Sequence, residues 1–106
     1  MAFDFVYSSE VIEHVPDVNA FMHGLSTSTR PGGFLYITTP DIGHWRVPED
    51  VTSWGLFDPS RHIQFFDKGN MRILLERHGF EPRRFFFKIQ PGLQVLARRE
   101  QAEAPN

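Results

Sequence analysis

Apolar and polar residues recur along this chain with two different periods, and these periods predict strands and helices. A short apolar run from Phe3 to Ser8 predicts a strand. After it, Asp17 is placed to cap a helix whose apolar residues recur at helical spacing, namely Val18, Phe21, Met22 and Leu25. The aromatic and β-branched run Phe34 to Thr39, stopped by Pro40, predicts a second strand. Strand, helix and strand together predict a right-handed βαβ unit with parallel strands.

The second half of the chain predicts another helix followed by a hairpin. Asp67 is a candidate N-cap, and the buried positions of the helix are Met71, Leu74, Leu75 and His78. Gly79 is expected to end this helix, with Phe80 folding back onto Leu75. A strand from Phe80 to Ile89, a turn at 90–92 and a strand from Leu93 to Arg98 then predict an antiparallel pair.

The order of these elements predicts an α/β fold with a partial sheet of about four strands and two main helices. A chain of 106 residues is long enough for one domain, which we assign to residues 1–98. Residues 99–106 are mostly polar or small and are expected to form a disordered tail.

Composition and charge argue against several classes of protein, including nucleic-acid-binding and membrane-spanning proteins. The formal net charge is −2, which gives no reason to expect nucleic-acid binding through a basic surface. No apolar run approaches the roughly 20 residues that span a bilayer, and the first residues lack a basic leader, so neither a membrane span nor a signal peptide is expected. The sequence contains no cysteine, which suits a reducing compartment. We therefore expect a cytoplasmic protein.

Polar residues directly follow the first strand, where an α/β sheet ordinarily binds ligands. Glu10, Glu13 and His14 stand at i, i+3 and i+4, so one turn of helix would bring two carboxylates and an imidazole to one face. The alternative interpretation is a solvated acidic helix start that the helix dipole favours. The spacing alone leaves both open.

Residues 41–61 follow neither period and form a long connection for so small a domain. This segment carries a histidine and three large aromatic residues, His44, Trp45, Trp54 and Phe57. We expect it to face a substrate, with packing over the sheet as the alternative.

Three segments resemble the C-terminal half of class I S-adenosylmethionine-dependent methyltransferases. They are FDFVYSSEVIEHVPDVNAF, RPGGFLYITTPD and HIQFFDKGNMRILLERHGFE, and together they cover residues 3 to about 98. The most similar groups are small-molecule enzymes that include the ubiquinone-biosynthesis O-methyltransferases. In that family a Rossmann-like sheet has the strand order 3-2-1-4-5-7-6 with the last strand antiparallel. The resemblance makes Phe3 to Ser8 the fourth strand, Phe34 to Thr39 the fifth and the hairpin the sixth and seventh.

The resemblance also implies site residues. Ser8, Ser9 and Glu10 would contact S-adenosylmethionine, and His14 or His62 would act as a general base. Some members of the group hold a divalent cation with a Glu-x-x-Glu-His turn and a later histidine, which here are Glu10, Glu13, His14 and His62. The expected ion is Mg²⁺, and it would lower the pKa of an acceptor hydroxyl. Without a metal, His14 is expected to bond locally.

The function that the resemblance implies is methyl transfer to a small-molecule acceptor. The first three strands, the glycine-rich turn and the acidic residue that holds the cofactor's ribose are absent from this sequence, so tight cofactor binding by this chain alone is not expected. The Phe3 to Ser8 strand is expected to be an unpaired edge, available to a second copy or to an N-terminal half. The alternative function is an inactive half-domain that serves as an oligomerising or partner-binding module.

Overall fold

A computed structural model describes residues 2–50 and 64–101 of the chain. Within these residues the strands are β1 (Phe3–Ser9), β2 (Thr29–Pro40), β3 (Phe80–Phe86) and β4 (Gly92–Arg99). The helices are α1 (Val18–Ser28) and α2 (Lys68–Arg77), with a short 3₁₀ helix at Ile12–His14. No helix in this described part is long and apolar enough to cross a membrane.

The strands of the described sheet lie in the order β1-β2-β4-β3. β1 pairs with β2 in parallel, and β4 is antiparallel to both β2 and β3. This confirms the predicted α/β sheet, including the insertion of the last strand between the second and third. Because β1, β2 and β3 all run in the same direction, they end at one edge of the sheet, which we call the carboxyl edge.

The helix boundaries follow the predicted caps. Asp17 accepts a hydrogen bond from the Ala20 N–H at 3.0 Å at the start of α1. Asp67 and Asn70 form a reciprocal capping box at the start of α2, with distances of 2.8 and 2.9 Å. Gly79 adopts φ +81° just after α2, a conformation that glycine accepts without a steric penalty.

The core lies between α1, α2 and one face of the sheet. Alternate residues of β2, such as Leu35 and Ile37, are fully buried. They are joined by other buried apolar side chains, namely Ile12, Met22, Phe66, Met71, Leu74, Leu75, Phe80, Leu93, Val95 and Ala97. His78 was expected in this core, but it is only half-buried and its Nε2 lies 3.1 Å from Asn19 Oδ1, which joins α2 to α1.

β2 begins five residues earlier than the predicted Phe34. Thr29 ends α1 by donating its hydroxyl to the Leu25 carbonyl at 2.8 Å, and it also pairs with Phe3 of β1. The next regular pair is Phe5 with Phe34, so residues 30–33 bulge out of the strand. Pro31, Gly32 and Gly33 therefore bend a strand that continues on both sides of them.

β3 ends at Phe86 rather than at the predicted Ile89. The backbone carbonyl of Lys88 lies 2.6 Å from His44 Nε2, and this bond takes the chain away from β4. At the other end of the hairpin, Arg99 belongs to β4 and the Glu100 N–H donates to the Gly79 carbonyl at 2.9 Å. The predicted tail boundary at residue 99 is therefore too early, and residues 102–106 lie outside the described residues.

Candidate active site at the carboxyl edge

The ends of β1 and β2 carry a group of linked hydroxyl and carboxyl side chains. Ser8 is buried, and Ser9 Oγ lies 2.8 Å from Thr38 Oγ1 across the parallel pair. Thr38 Oγ1 also donates to Glu10 Oε1 at 3.3 Å, and the Glu10 N–H donates to the Thr38 carbonyl at 2.8 Å. These bonds hold the last residues of β1 against β2.

Glu10 has φ +56°, the one non-glycine residue with positive φ among those described. Such a backbone costs on the order of 1–3 kcal/mol and persists only where neighbouring contacts impose it. The bonds to Thr38 supply that constraint. Residues held in this way concentrate at functional sites, so the turn after β1 is a candidate functional site on structural grounds as well.

Glu13 and His14 lie together in the 3₁₀ helix, but not as a face of an α-helix shared with Glu10. Glu10 precedes the helix, so the predicted single helical face is wrong. The Glu13 side chain is only 2% exposed and accepts a hydrogen bond from Thr39 Oγ1 at 2.8 Å. The His14 side chain is 38% exposed, and its Nε2 lies 3.6 Å from Glu13 Oε2. The buried Glu13 carboxyl group therefore lies beside the partly exposed imidazole of His14.

Two neighbouring carboxyl groups alter the protonation of this site. Burial raises the pKa of Glu10 above its ordinary 4.5, and the adjacent Glu13 carboxyl raises it further. The Thr38 hydroxyl and the Lys88 ammonium act in the opposite direction. The Glu10 carboxyl therefore keeps its proton to a higher pH than an isolated glutamate does.

We expect the Glu10 carboxyl to titrate with a midpoint above 4.5. Carboxyl ¹³C NMR measures this midpoint. Because its pKa is raised on folding, the folded state binds more protons, and stability falls as pH rises from the unfolded to the folded pKa. The variant Glu13→Gln should lower the midpoint, since it removes the neighbouring charge. A midpoint at or below 4.5 in the native chain would contradict the proximity of the two carboxyl groups.

The bond between Thr39 and Glu13 predicts a loss of stability on substitution. Thr39 is fully buried, so Thr39→Val leaves the Glu13 carboxylate without this hydroxyl donor. We expect the free energy of unfolding to fall by about 1–3 kcal/mol, measured by urea denaturation. Thr39→Ser is the control because it retains the hydroxyl. Unchanged stability in Thr39→Val would contradict the contribution of the hydrogen bond, because valine keeps the methyl group and lacks only the hydroxyl.

The segment after β2 folds back over the carboxyl edge. Asp41 is buried, accepts from the Gly43 N–H at 2.9 Å and forms a bridge with Phe66. Burial raises the pKa of the Asp41 carboxyl, while the Gly43 N–H opposes that rise. These contacts fix the position of the residues that follow.

Both ring nitrogens of His44 are used within the protein. Nδ1 accepts from the Arg46 N–H at 3.1 Å, so Nε2 carries the proton and donates to the Lys88 carbonyl. The imidazole is therefore neutral and holds two segments together, while Trp45 stacks on it with ring centres 5.4 Å apart. Trp45 itself is 71% exposed.

A cavity of about 410 Å³ opens at this edge. Its walls come from the segment after β2, the start of α2 and the end of β3. The lining residues are Asp41, Gly43, His44, Trp45, Asp67, Lys68, Gly69, Phe86, Phe87, Lys88 and Gly92. The predicted substrate-facing residues His44 and Trp45 therefore do line a cavity.

The remaining predicted site residues divide into two groups. Ser9, Glu10, Glu13 and His14 are brought together, whereas His62, Trp54 and Phe57 lie outside the described residues. Within residues 2–50 and 64–101 no three histidine, aspartate or glutamate side chains are arranged to hold a metal ion. Glu10, Glu13 and His14 thus do not by themselves form a cation site, and the predicted set with His62 stays a prediction.

Sequence reasoning missed the residues that complete the site, above all Thr38, Thr39 and Lys88. The two threonines stand at the end of a strand, and their position at the carboxyl edge was the available signal. Lys88 was placed inside a predicted strand, which concealed its position beside the cavity.

Known proteins share the fold and parts of the sequence of this chain. Residues 2–84 match the model of a family described as a methyltransferase domain. Ubiquinone biosynthesis O-methyltransferases are 46% identical over 37 residues in Brucella ovis and 49% in Rhodopseudomonas palustris. Each of these alignments covers 35% of this chain and 15% of the relative, so the chain matches only a small part of the curated relatives.

Solved structures share the fold at low sequence identity. A SAM-dependent methyltransferase from Methanosarcina mazei has a TM-score of 0.74 at 17% identity, covering 95% of this chain and 61% of its own. The 1,6-didemethyltoxoflavin-N1-methyltransferase of Burkholderia thailandensis was solved with bound 1,6-didemethyltoxoflavin and S-adenosylhomocysteine. It has a TM-score of 0.68 at 16% identity, covering 93% of this chain and 44% of its own.

Proposed function

Since the chain belongs to the methyltransferase-domain family, we propose that it supplies the acceptor side and part of the cofactor site for S-adenosylmethionine-dependent methyl transfer to a small molecule. The observation that carries this proposal is the strained Glu10 turn, held between β1 and β2 at the same carboxyl edge that carries the cavity. The cysteine-free composition suits the cytoplasmic location that we propose with it.

The residues after β1 have chemistry that suits this cofactor. S-adenosylmethionine supplies a methyl group on a positively charged sulfonium. The carboxyl groups of Glu10 and Glu13 place negative charge at the same edge, and the Ser8 and Ser9 positions offer hydroxyl and backbone groups. We assign cofactor contact to Ser8, Ser9 and Glu10. Tight binding needs the glycine-rich turn and ribose anchor that the sequence lacks, so the chain alone should bind weakly.

Methyl transfer to oxygen also requires removal of a proton from the acceptor. His14, with the Glu13 carboxylate 3.6 Å from its Nε2, is one candidate base, and His62 is the other. A bound Mg²⁺ held by Glu10, Glu13, His14 and His62 would lower the pKa of the acceptor hydroxyl instead. Among the described residues, Glu10, Glu13 and His14 do not form a cation site without His62. The role of a histidine base does not depend on the metal. A Mg²⁺ titration without NMR shifts at these four residues would reject it.

Titration of the isotope-labelled chain with S-adenosylhomocysteine tests the proposed cofactor site. We expect amide shifts at residues 8–10 and weaker than micromolar affinity, because residues 1–106 do not include the glycine-rich turn of the family. Amides at the opposite ends of the strands, near Phe3 and Arg98, serve as the internal control. Shifts confined to those opposite ends, or none at millimolar ligand, would overturn the proposal. Micromolar or tighter binding would overturn only the expected weakness.

An exposed aromatic surface favours a second candidate function, a partner-binding module. On the sheet face away from α1 and α2, Phe5 is 55% exposed and Tyr7 is 60% exposed. Tyr7 stacks on Tyr36 with ring centres 5.6 Å apart, so the surface continues from β1 onto β2. Parallel strands are ordinarily covered on both faces, and β1 also has an open edge.

The occupant that fits both the open edge and the open face is the remaining part of a methyltransferase domain. A strand beside β1 and a helix over Tyr7 would satisfy both at once. The solved structures support this occupant, because this chain spans only 61% and 44% of the two described above. It would be supplied by further sequence or by a separate chain.

Native mass spectrometry and amide exchange test this candidate. The chain mixed with a separately expressed first half of a methyltransferase domain should form a one-to-one complex and protect the amides of Phe3 to Tyr7. The variant Phe5→Lys should weaken the complex, while Ile73→Lys, an exposed position on α2, should not. A homodimer would identify a second copy as the occupant. A monomer with rapid exchange in both samples would reject the module.

A further inference from the structure

The cavity at the carboxyl edge combines exposed aromatic side chains with two lysine ammonium groups, Lys68 and Lys88, and two aspartates, Asp41 and Asp67. We propose that it binds a planar acceptor that bears a carboxylate, with the ring against Trp45 and Phe87 and the carboxylate between Lys68 and Lys88. This inference rests on the proposed function, because it names the chemical class of the acceptor. Its binding test needs no methyl transfer, so the two can fail separately.

Two large aromatic side chains of the cavity are exposed to solvent. Trp45 is 71% exposed and Phe87 is 79% exposed, and both line the cavity. The hydrogen bond from His44 to the Lys88 carbonyl ties the segment of Trp45 to the segment of Phe87. The two rings are therefore presented from anchored backbone. A volume of about 410 Å³ is of the size that accepts a small organic molecule.

The charged residues of the cavity differ in how they are satisfied. Asp41 accepts from the Gly43 N–H, and Asp67 accepts from the Asn70 N–H as the cap of α2. By contrast, no carboxylate among the described residues lies within ion-pair distance of Lys68 or Lys88. Lys68 acts electrostatically on Asp41, and Lys88 acts on Glu10, from beyond ion-pair distance, so both ammonium groups keep hydrogen-bond donors for an added anion.

Gly92 helps to place one of these ammonium groups. A Cβ on Gly92 would lie 3.1 Å from Lys88 Nζ and 3.2 Å from its Cδ, so the lysine stem crosses the start of β4 where no side chain stands. The same ammonium acts electrostatically on Glu10. Lys88 thus lines the cavity and also interacts with Glu10, and a carboxylate bound to it would set the acceptor at the same edge of the sheet as the proposed cofactor site.

NMR titration of the full chain with three probes tests the inference. The probes are 2-naphthoate, the neutral 2-naphthalenemethanol and the saturated cyclohexanecarboxylate. We expect 2-naphthoate to shift the Trp45 indole N–H and the Lys88 amide, and to bind about tenfold or more tightly than either other probe. Equal affinity for the naphthoate and the naphthalenemethanol would overturn the role of the lysines. Equal affinity for both carboxylates would overturn the role of the rings.

Matched variants separate specific binding from general electrostatics. Lys88→Met retains the stem and removes the charge, and it should weaken 2-naphthoate binding by about tenfold with little effect on the neutral alcohol. Lys88→Arg should restore most of the affinity. Arg83→Met removes one positive charge from an exposed position on β3 outside the cavity lining and should leave binding unchanged. Equal losses in Lys88→Met and Arg83→Met would show attraction by net charge and overturn the site.

The same titration distinguishes this inference from the proposed function. Naphthoate binding without any shift at residues 8–10 on adding S-adenosylhomocysteine would preserve the anion site and reject the cofactor site. Cofactor shifts without naphthoate binding would reject only the acceptor class.

Discussion

Phe80→Ala is expected to lower the free energy of unfolding by about 3–5 kcal/mol. Phe80 is fully buried at the start of β3, immediately after the glycine that ends α2, and it belongs to the same core as Leu75 and Val95. Removing its ring leaves a cavity between a helix and the sheet. Domains are stable by only about 5–15 kcal/mol, so a large part of the variant should be unfolded at moderate temperature.

Phe87→Ala is the matched control for this experiment. It removes the same ring seven residues later, but Phe87 is among the most exposed large apolar residues, so its stability should change by no more than about 0.5 kcal/mol. Urea denaturation followed by far-ultraviolet circular dichroism measures both variants. Similar losses at the two positions would mean that the exposed face near Phe87 is covered in solution, and a stable Phe80→Ala would contradict the described core.

His14→Gln is expected to lower kcat for methyl transfer by about 10² to 10⁴-fold if His14 is the base. The assay uses the chain assembled with the remaining part of a methyltransferase domain and an excess of acceptor. Glutamine keeps polar contacts but cannot accept the acceptor's proton. Because a general base acts only in its unprotonated form, the fall in kcat at acidic pH should also disappear in the variant.

Two companion variants identify the base. His23→Gln changes an exposed histidine of α1 and should leave both kcat and its pH dependence unchanged. His62→Gln should be nearly silent if His14 is the base. If instead His62→Gln loses the activity and His14→Gln does not, the assignment is reversed. Full activity in both variants would reject a histidine base.

The parts of the fold that the sequence predicts are those set by local chemistry. Asp17 and Asp67 cap helices because a short acidic side chain reaches the free N–H groups of the first turn. Gly79 ends α2 because its positive φ is strained for other residues. The position of β4 between β2 and β3 came instead from the family resemblance, since a hairpin pattern alone allows either strand to be on the outside.

The errors arise where one residue serves two elements. Thr29 ends a helix and begins a strand, whereas the proline and two glycines soon after it favour a break in regular structure. Lys88 leaves β3 because a histidine 44 residues away bonds to its carbonyl. Such long-range bonds have no local sequence signal, and they outweigh the strand preference of the residues around them.

The candidate site could be predicted only in part, because many of its contacts join residues that are far apart in the sequence. Polar residues after an apolar strand indicate the carboxyl edge, which correctly brought Glu10, Glu13 and His14 into one region. The sequence could not show that Glu13 is buried against Thr39 or that Glu10 has positive φ. Both depend on the register of β1 against β2, which fixes the partners across the strands.

The direct junction of α1 with β2 lies at the opposite end of the strand from the candidate site. No loop separates Ser28 from Thr29, and Thr29 is bonded to Leu25 within α1 while it pairs with Phe3 of β1. The bulge at residues 30–33 then separates this junction from the regular part of β2, so a displacement of the helix can be absorbed before it reaches the carboxyl edge. Thr38 and Thr39, at the far end of the strand, are held by the pairing of β2 with β1 and β4. Substitutions at Thr29 should therefore disturb α1 more than they disturb the Glu10 turn.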